Sequence, residues 1–216
     1  ANTGTTLSGS GGFGLYDITC GFRCEYGNAA WDIRHRWATS FNYDLPFGRG
    51  KAIGGNISKV ADMFIGGWQT NGILTFSSGQ PFTFRSANCV ASFASCRPDA
   101  VAGKSPMDAP SGGRTPDQWF DVTAMQNPAP GTGGNIGPQT GVGPGIAALD
   151  MSMFKTFNVT ERVRVQFRSE WLNMGNTPRF AVGSIGITQG AGNFGRVTAT
   201  LPGTARNVQF ALRVMF

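Results

Sequence analysis

The chain has one histidine, His35, set between Arg34 and Arg36. A single imidazole excludes a multi-histidine metal site within one chain and gives no support to a histidine-based nucleophilic triad. No GxSxG, HExxH or Walker pattern is present. Gly9, Gly11 and Gly14 match GxGxxG in form, but no strand pattern precedes them and no helical pattern follows, so they do not make a dinucleotide site. Asp44, Asp150 and Glu170 fall on strand faces that carry arginines, where they read as paired charges rather than as a general acid and base. No enzyme activity, metal or cofactor is expected. The four cysteines form two close pairs in Gly, Ser and Ala rich surroundings. Two local disulfides, Cys20–Cys24 and Cys89–Cys96, suit an oxidising compartment; a zinc site on all four thiolates is the alternative, although neither pair has CxxC spacing.

These residues sit in a chain of 216 with 32 Gly, 12 Pro and only 14% charged residues. Such a composition belongs neither to a helical protein nor to a charge-rich disordered one. The net charge of +6 comes from 18 Lys and Arg that are scattered along the chain, so no nucleic-acid partner is expected. No apolar run approaches the ~20 residues of a membrane helix, and a membrane crossing would have to use a closed β-barrel. The chain opens at Ala1 without a signal peptide, the mark of a processed or truncated product.

Alternation is the dominant pattern. In residues 206–216, Val208, Phe210, Leu212, Val214 and Phe216 fall on one side, and Asn207, Gln209, Ala211 and Arg213 on the other. A strand of that length crosses a bilayer when tilted, although a half-buried strand of a soluble sandwich alternates in the same way. Trp37, Thr39, Phe41, Tyr43 and Leu45 oppose Arg36, Ala38, Ser40, Asn42 and Asp44. Trp68, Leu74 and Phe76 oppose Gln69, Asn71, Thr75 and Ser77, and Leu149, Met151 and Met153 oppose Ala148, Asp150 and Ser152. Val163, Val165, Phe167 and Trp171 oppose Arg162, Arg164, Gln166, Arg168 and Glu170. Weaker strands are read at 15–19, 180–187 and 194–201. Ile57, Val60, Ala61, Phe64 and Ile65 recur at helical spacing and predict one or two helical turns with a packing face. Residues 1–33 read as a flexible lead-in with a first strand and a cysteine loop; residues 34–216 read as a barrel region whose long loop, at about 86–145, has no periodicity.

The fold expected is therefore all-β, with about eight antiparallel strands of transmembrane-barrel type, forming part of a larger barrel or completed by other chains. Arg36, Asp44, Asp150, Arg162, Arg164, Arg168, Glu170, Arg196 and Arg213 would face the lumen. Trp37, Phe41, Trp68, Leu74, Phe76, Val163, Val165, Phe167, Trp171, Val208, Phe210, Leu212 and Val214 would face lipid, with aromatics near the strand ends. If the last strand runs toward the periplasm, residues 158–161, 190–193 and 46–65 fall on the periplasmic side, and the long loop and both cysteine pairs fall outside the cell.

Several blocks carry a family resemblance. Arg34-His35-Arg36-Trp37, Tyr43-Asp44-Leu45-Pro46-Phe47-Gly48-Arg49-Gly50-Lys51, Gly66-Gly67-Trp68-Gln69-Thr70-Asn71-Gly72-Ile73, Ser78-Gly79-Gln80-Pro81-Phe82, Arg97-Pro98-Asp99, Trp119-Phe120 and Asn193-Phe194-Gly195-Arg196 occur in this order. With residues 149–157, 161–176 and the final Gln209-Phe210-Ala211-Leu212-Arg213-Val214-Met215-Phe216, the chain resembles the carboxy-terminal barrel of Oar-like TonB-dependent receptors. The resemblance covers about residues 34–216. It implies the outer membrane of a Gram-negative bacterium, lipid and the barrel-assembly machinery as partners, Phe216 as the terminal assembly signal, and energised import of a bulky ligand. No plug or TonB-contacting segment is recognised, and a full receptor barrel has about 22 strands. An open sheet has unpaired edges, which leaves two further possibilities: closure of the chain alone as an eight-stranded barrel, or copies that pair edge to edge as a structural tube or extracellular filament.

Overall fold

The computed structural model describes residue 23 and residues 25–88, 96–130 and 132–216. Its five long strands are β1 (Arg36–Asp44), β2 (Trp68–Ser77), β3 (Ile146–Asn158), β4 (Arg164–Leu172) and β5 (Asn207–Met215). They form one sheet in chain order, β1-β2-β3-β4-β5. β3 and β4, and β4 and β5, pair antiparallel. β1 and β2 do the same: Leu45 N–H donates to Trp68 C=O at one end (2.9 Å) and Ser78 N–H to His35 C=O at the other (2.8 Å). The strands run 9 to 13 residues, long enough to cross a bilayer when tilted.

The two kinds of connection leave opposite ends of these strands. At one end β3 turns into β4 within residues 159–163, closed by Val159 N–H and Thr160 N–H on Val163 C=O (3.0 and 3.1 Å). The same end carries residues 45–67 between β1 and β2, including the helix α1 (Lys59–Ile65). Ser58 caps α1 by accepting from Ala61 N–H at 3.2 Å, and Gly66 ends it with its N–H on Asp62 C=O at 2.9 Å. The connections 78–145 and 173–206 leave the strands at the other end.

The chain divides into two compact units: Arg36–Phe76, Ile146–Pro178 and Pro202–Phe216 make the sheet unit, and Ala1–His35, Ser77–Gly145 and Arg179–Leu201 make the other. The second has a core of its own. Phe82, Phe84, Phe120, Met125, Ile136, Ile185 and Val197 are buried together, with Trp119, Val122, Phe180, Val182 and Phe194 packed against them. Phe84 and Phe120 meet edge to face at 4.9 Å, and Phe120 and Phe194 at 5.1 Å, a favoured geometry for aromatic pairs. Three short pairings brace it: Pro81–Phe82 with Gly141–Val142, Asp99–Ala100 with Met125–Gln126, and Arg85–Ser86 in parallel with Thr188–Gln189.

The all-β, antiparallel architecture is the expected one, and among the described residues five long strands build the sheet. Residues 180–187 and 194–201 are not strands of this sheet; their backbone pairing is limited to isolated bridges such as Phe180 with Thr200 and Ile185 with Val197. Phe180, Val182, Ile185, Phe194 and Val197 instead join the phenylalanine core, and eight residues are short for a bilayer crossing. Residues 190–193 thus belong with the long connections, not with the short turns. Of the aperiodic stretch at 86–145, residues 96–130 and 132–145 are folded rather than plain loop. The segment 15–19 lies outside the described residues, as do Cys20, Cys24 and Cys89 and with them both expected disulfide pairings; Cys96 is buried and disulfide-bonded.

Candidate functional site

The strand registers sort the sheet into two faces. On one, Met151 and Val208 flank Trp171, Met153 and Phe210 flank Ser169, Lys155 and Leu212 flank Phe167, and Phe157 and Val214 flank Val165. Trp68 meets Phe167 edge to face at 6.1 Å, Phe167 stacks on Phe210 at 6.1 Å, and Trp37 stacks on Phe76 at 5.6 Å. Phe41 covers Gly72, where an added Cβ would lie 2.6 Å from the ring. This face is apolar yet uncovered: Phe210 is 69% exposed and Leu212 72%. An exposed patch of this kind signals a membrane or protein surface.

The other face is polar. Ser152 and Gln209 flank Glu170, Phe154 and Ala211 flank Arg168, Thr156 and Arg213 flank Gln166, and Asn158 and Met215 flank Arg164. Arg168 and Glu170, two residues apart on β4, form an ion pair of 2.9 Å. Ser152 Oγ donates to Asn71 Oδ1 at 2.5 Å, and Gln166 Nε2 to Thr156 Oγ1 at 3.4 Å. Asp150 Oδ1 accepts from Asn173 N–H at 2.7 Å.

Arg36, Asp44, Asp150, Arg164, Arg168, Glu170 and Arg213 thus lie at positions of one parity within the sheet strands, and the apolar set from Trp37 to Val214 at the other. Arg162 and Val163 lie in the turn before β4. Arg196 is a correction: it lies in the segment between β4 and β5, where its guanidinium donates to the Asp117 carboxylate at 3.3 Å, and it occupies no strand position of the sheet. The helix is a second correction. Val60, Phe64 and Ile65, read as a packing face, are exposed, and no residue of α1 is buried.

The sequence reading missed Lys155, which breaks the apolar parity of β3. Its ammonium is drawn back to the end of α1, donating to the carbonyl of Gly66 and to that of Asp62 (3.4 Å), and it lies 5.9 Å from the Trp68 ring and 5.1 Å from Phe157. A lone lysine of the wrong parity next to a turn was the available signal, since only a snorkelling cation is tolerated there.

A sheet with an uncovered apolar face, an ion-paired polar face, and its two shorter connections at one end is the anatomy of a membrane barrel wall. A protein-family model for the outer membrane beta barrel domain matches residues 1–209. The chain belongs to that family. Membership places it in the outer membrane of Gram-negative bacteria, with β1 to β5 as strands of its barrel wall. No helix among the described residues is long and apolar enough to cross a membrane. No curated protein and no solved structure matches the chain.

Proposed function

We propose that the chain is the barrel portion of an Oar-like TonB-dependent receptor, with β1 to β5 as adjoining strands of a larger import barrel. The observation that carries this reading is the pair of open edges. Among the described residues β1 and β5 each have one neighbour, and unpaired backbone edges are not tolerated in lipid. β2 runs antiparallel to β3, with Gly72 against Asp150, Thr70 against Ser152 and Gly66 against Lys155, so the strands alternate in direction and β1 and β5 point the same way. Joining them directly would put a parallel pair into an antiparallel wall, so an antiparallel closure needs an odd number of further strands between them.

The polar face then lines the lumen and the apolar face meets acyl chains. Residues 45–67 and 159–163 then belong to the periplasmic strand ends, and the connections 78–145 and 173–206 leave the strands at the external ends, where a receptor selects its ligand. The blocks around Tyr43 to Lys51 and Gly66 to Ile73 support the receptor assignment.

Immunoblots of native outer membranes, boiled and unboiled, test the barrel. A heat-modifiable band larger than the 22.9 kDa of this chain is expected. A band of that mass whose migration is unchanged by heat overturns it. Capture of the native barrel on the periplasmic domain of TonB tests the receptor class, and failure to bind overturns that part. Long regular tubes in detergent-free buffer would favour edge-to-edge copies instead.

A further inference from the structure

Helix α1 has seven residues, too few to be stable alone in water. Here it is fastened at its C-terminal end from two strands. Trp68 Nε1 on β2 donates to Phe64 C=O at 2.8 Å, and Lys155 on β3 donates to the carbonyls of Gly66 and Asp62, bringing a cation to the negative end of the helix. Asp62 Oδ1 takes the Arg49 N–H at 2.6 Å, which ties the preceding loop to the same helix. Gly48 and Gly66 make room for that carboxylate: a Cβ on either would come within 2.7 Å of it.

All this fixing leaves the apolar side bare. Val60, Met63, Phe64 and Ile65 are 51% exposed or more, and Ile53 is 53% exposed. Positions 60, 63 and 64 share one helical face. Around them stand Arg49, Lys51 and Lys59, all exposed. The one carboxylate of residues 45–67, Asp62, is engaged as described.

We propose that α1 and the Ile53 loop form an interfacial foot that lies in the periplasmic leaflet of the outer membrane, its apolar side in the acyl chains and Arg49, Lys51 and Lys59 on anionic phospholipid headgroups. Two observations choose lipid over a protein partner. The apolar side continues from Trp68, a member of the membrane-facing surface of the sheet, at the end where the bilayer boundary falls. The surrounding charge is positive, as for helices that rest on anionic leaflets. The foot gives the β1–β2 connection a reason for its length, where a barrel turn needs only a few residues. The inference rests on the barrel reading, and its test separates the two.

In native outer membranes, phospholipids with a diazirine in the acyl chain are photolysed and the adducts located by mass spectrometry. Adducts are expected on Val60, Met63 or Phe64 as well as on Phe210 and Leu212. Adducts on the sheet but not on the helix overturn the foot and leave the barrel; adducts on neither overturn both. A photo-activatable methionine at Met63 is expected to cross-link lipid, and a discrete protein adduct overturns the choice of partner. With the diazirine carried by phosphatidylglycerol rather than phosphatidylcholine, labelling of α1 is expected to rise. The triple variant R49Q/K51Q/K59Q is expected to lower that preference at least about fivefold, and an unchanged preference overturns the headgroup contact.

Discussion

Asp150 on β3 accepts a 2.7 Å hydrogen bond from the backbone N–H of Asn173, the residue that follows β4. Asn173 is 3% exposed and stands at φ 49°, a left-handed conformation that asparagine adopts more readily than most residues. Its side chain donates to the carbonyls of Thr177 (2.9 Å) and Thr204 (2.5 Å) and accepts from Thr177 N–H (3.1 Å). One side chain thus ties the exit of β4 to the approach of β5.

Asn173→Ala is therefore expected to destabilise the sheet unit by ~2–4 kcal/mol, from the three hydrogen bonds lost by a buried side chain and from alanine's poorer tolerance of positive φ. Asn173→Gly removes the bonds but not the conformation and should cost less. Unfolding of the barrel in detergent, followed by loss of heat-modifiable migration, reads both. Equal stability of the alanine variant and the parent would refute the role.

The two faces of the sheet were legible because a strand repeats every two residues, so the alternation at 206–216 and 162–172 carries its own geometry. The fold of the other unit was not. Phe82, Phe84, Phe120 and Phe194 come from three separated segments with no shared period, and only their three-dimensional meeting shows the core. Lys155 was opaque for a similar reason: its carbonyl partner Gly66 lies 89 residues away. The apolar repeat at 57–65 gave the helix correctly but not its surroundings, since periodicity tells which residues share a face and not what covers it.

The contact of Phe41 with Gly72 gives a second expectation. A Cβ at Gly72 would lie 2.6 Å from Phe41 Cζ and 3.0 Å from Asp150 C=O, so Gly72→Ala should cost about 1–3 kcal/mol by overpacking. In a Phe41→Ala background the ring is gone, and much of that penalty should go with it. A double-mutant cycle with a coupling below ~0.5 kcal/mol would mean that the Asp150 carbonyl, not the ring, excludes a side chain.

Asp121 offers a pH dependence away from the membrane strands. Its Oδ1 accepts from the Thr123 hydroxyl (2.7 Å) and from the Thr123 N–H (2.9 Å), with Lys104 at 4.0 Å. The Thr123 hydrogen bonds hold its carboxyl below the ordinary value of 3.8. A lowered folded value stabilises the native state above the unfolded value, and that gain is lost as pH falls through the folded value. Near neutral pH, Asp121→Ala should weaken the unit; at pH below the ordinary carboxylate range the difference from the parent should vanish. Denaturation followed by near-ultraviolet circular dichroism across pH checks this, and a difference that persists in acid would point to lost packing.

Phe120 tests whether the long connections are a folded unit. The ring is fully buried and touches Phe82, Phe84 and Phe194 at centroid distances of 6.2, 4.9 and 5.1 Å. Gly195, at φ 80°, permits the approach: a Cβ there would stand 2.6 Å from Val122 and 3.7 Å from Phe120. Phe120→Ala should cost ~3–5 kcal/mol through the cavity it opens, and Phe120→Leu markedly less. On the proposed receptor reading the connection 78–145 is exposed to the medium, so in intact cells the alanine variant should become sensitive to added protease within it. The β4–β5 pairing contains no atom of this core, so heat-modifiable migration should persist. Protease resistance equal to the parent would mean that the phenylalanine cluster does not hold the loops. Loss of the heat-modifiable band would mean that barrel formation depends on them.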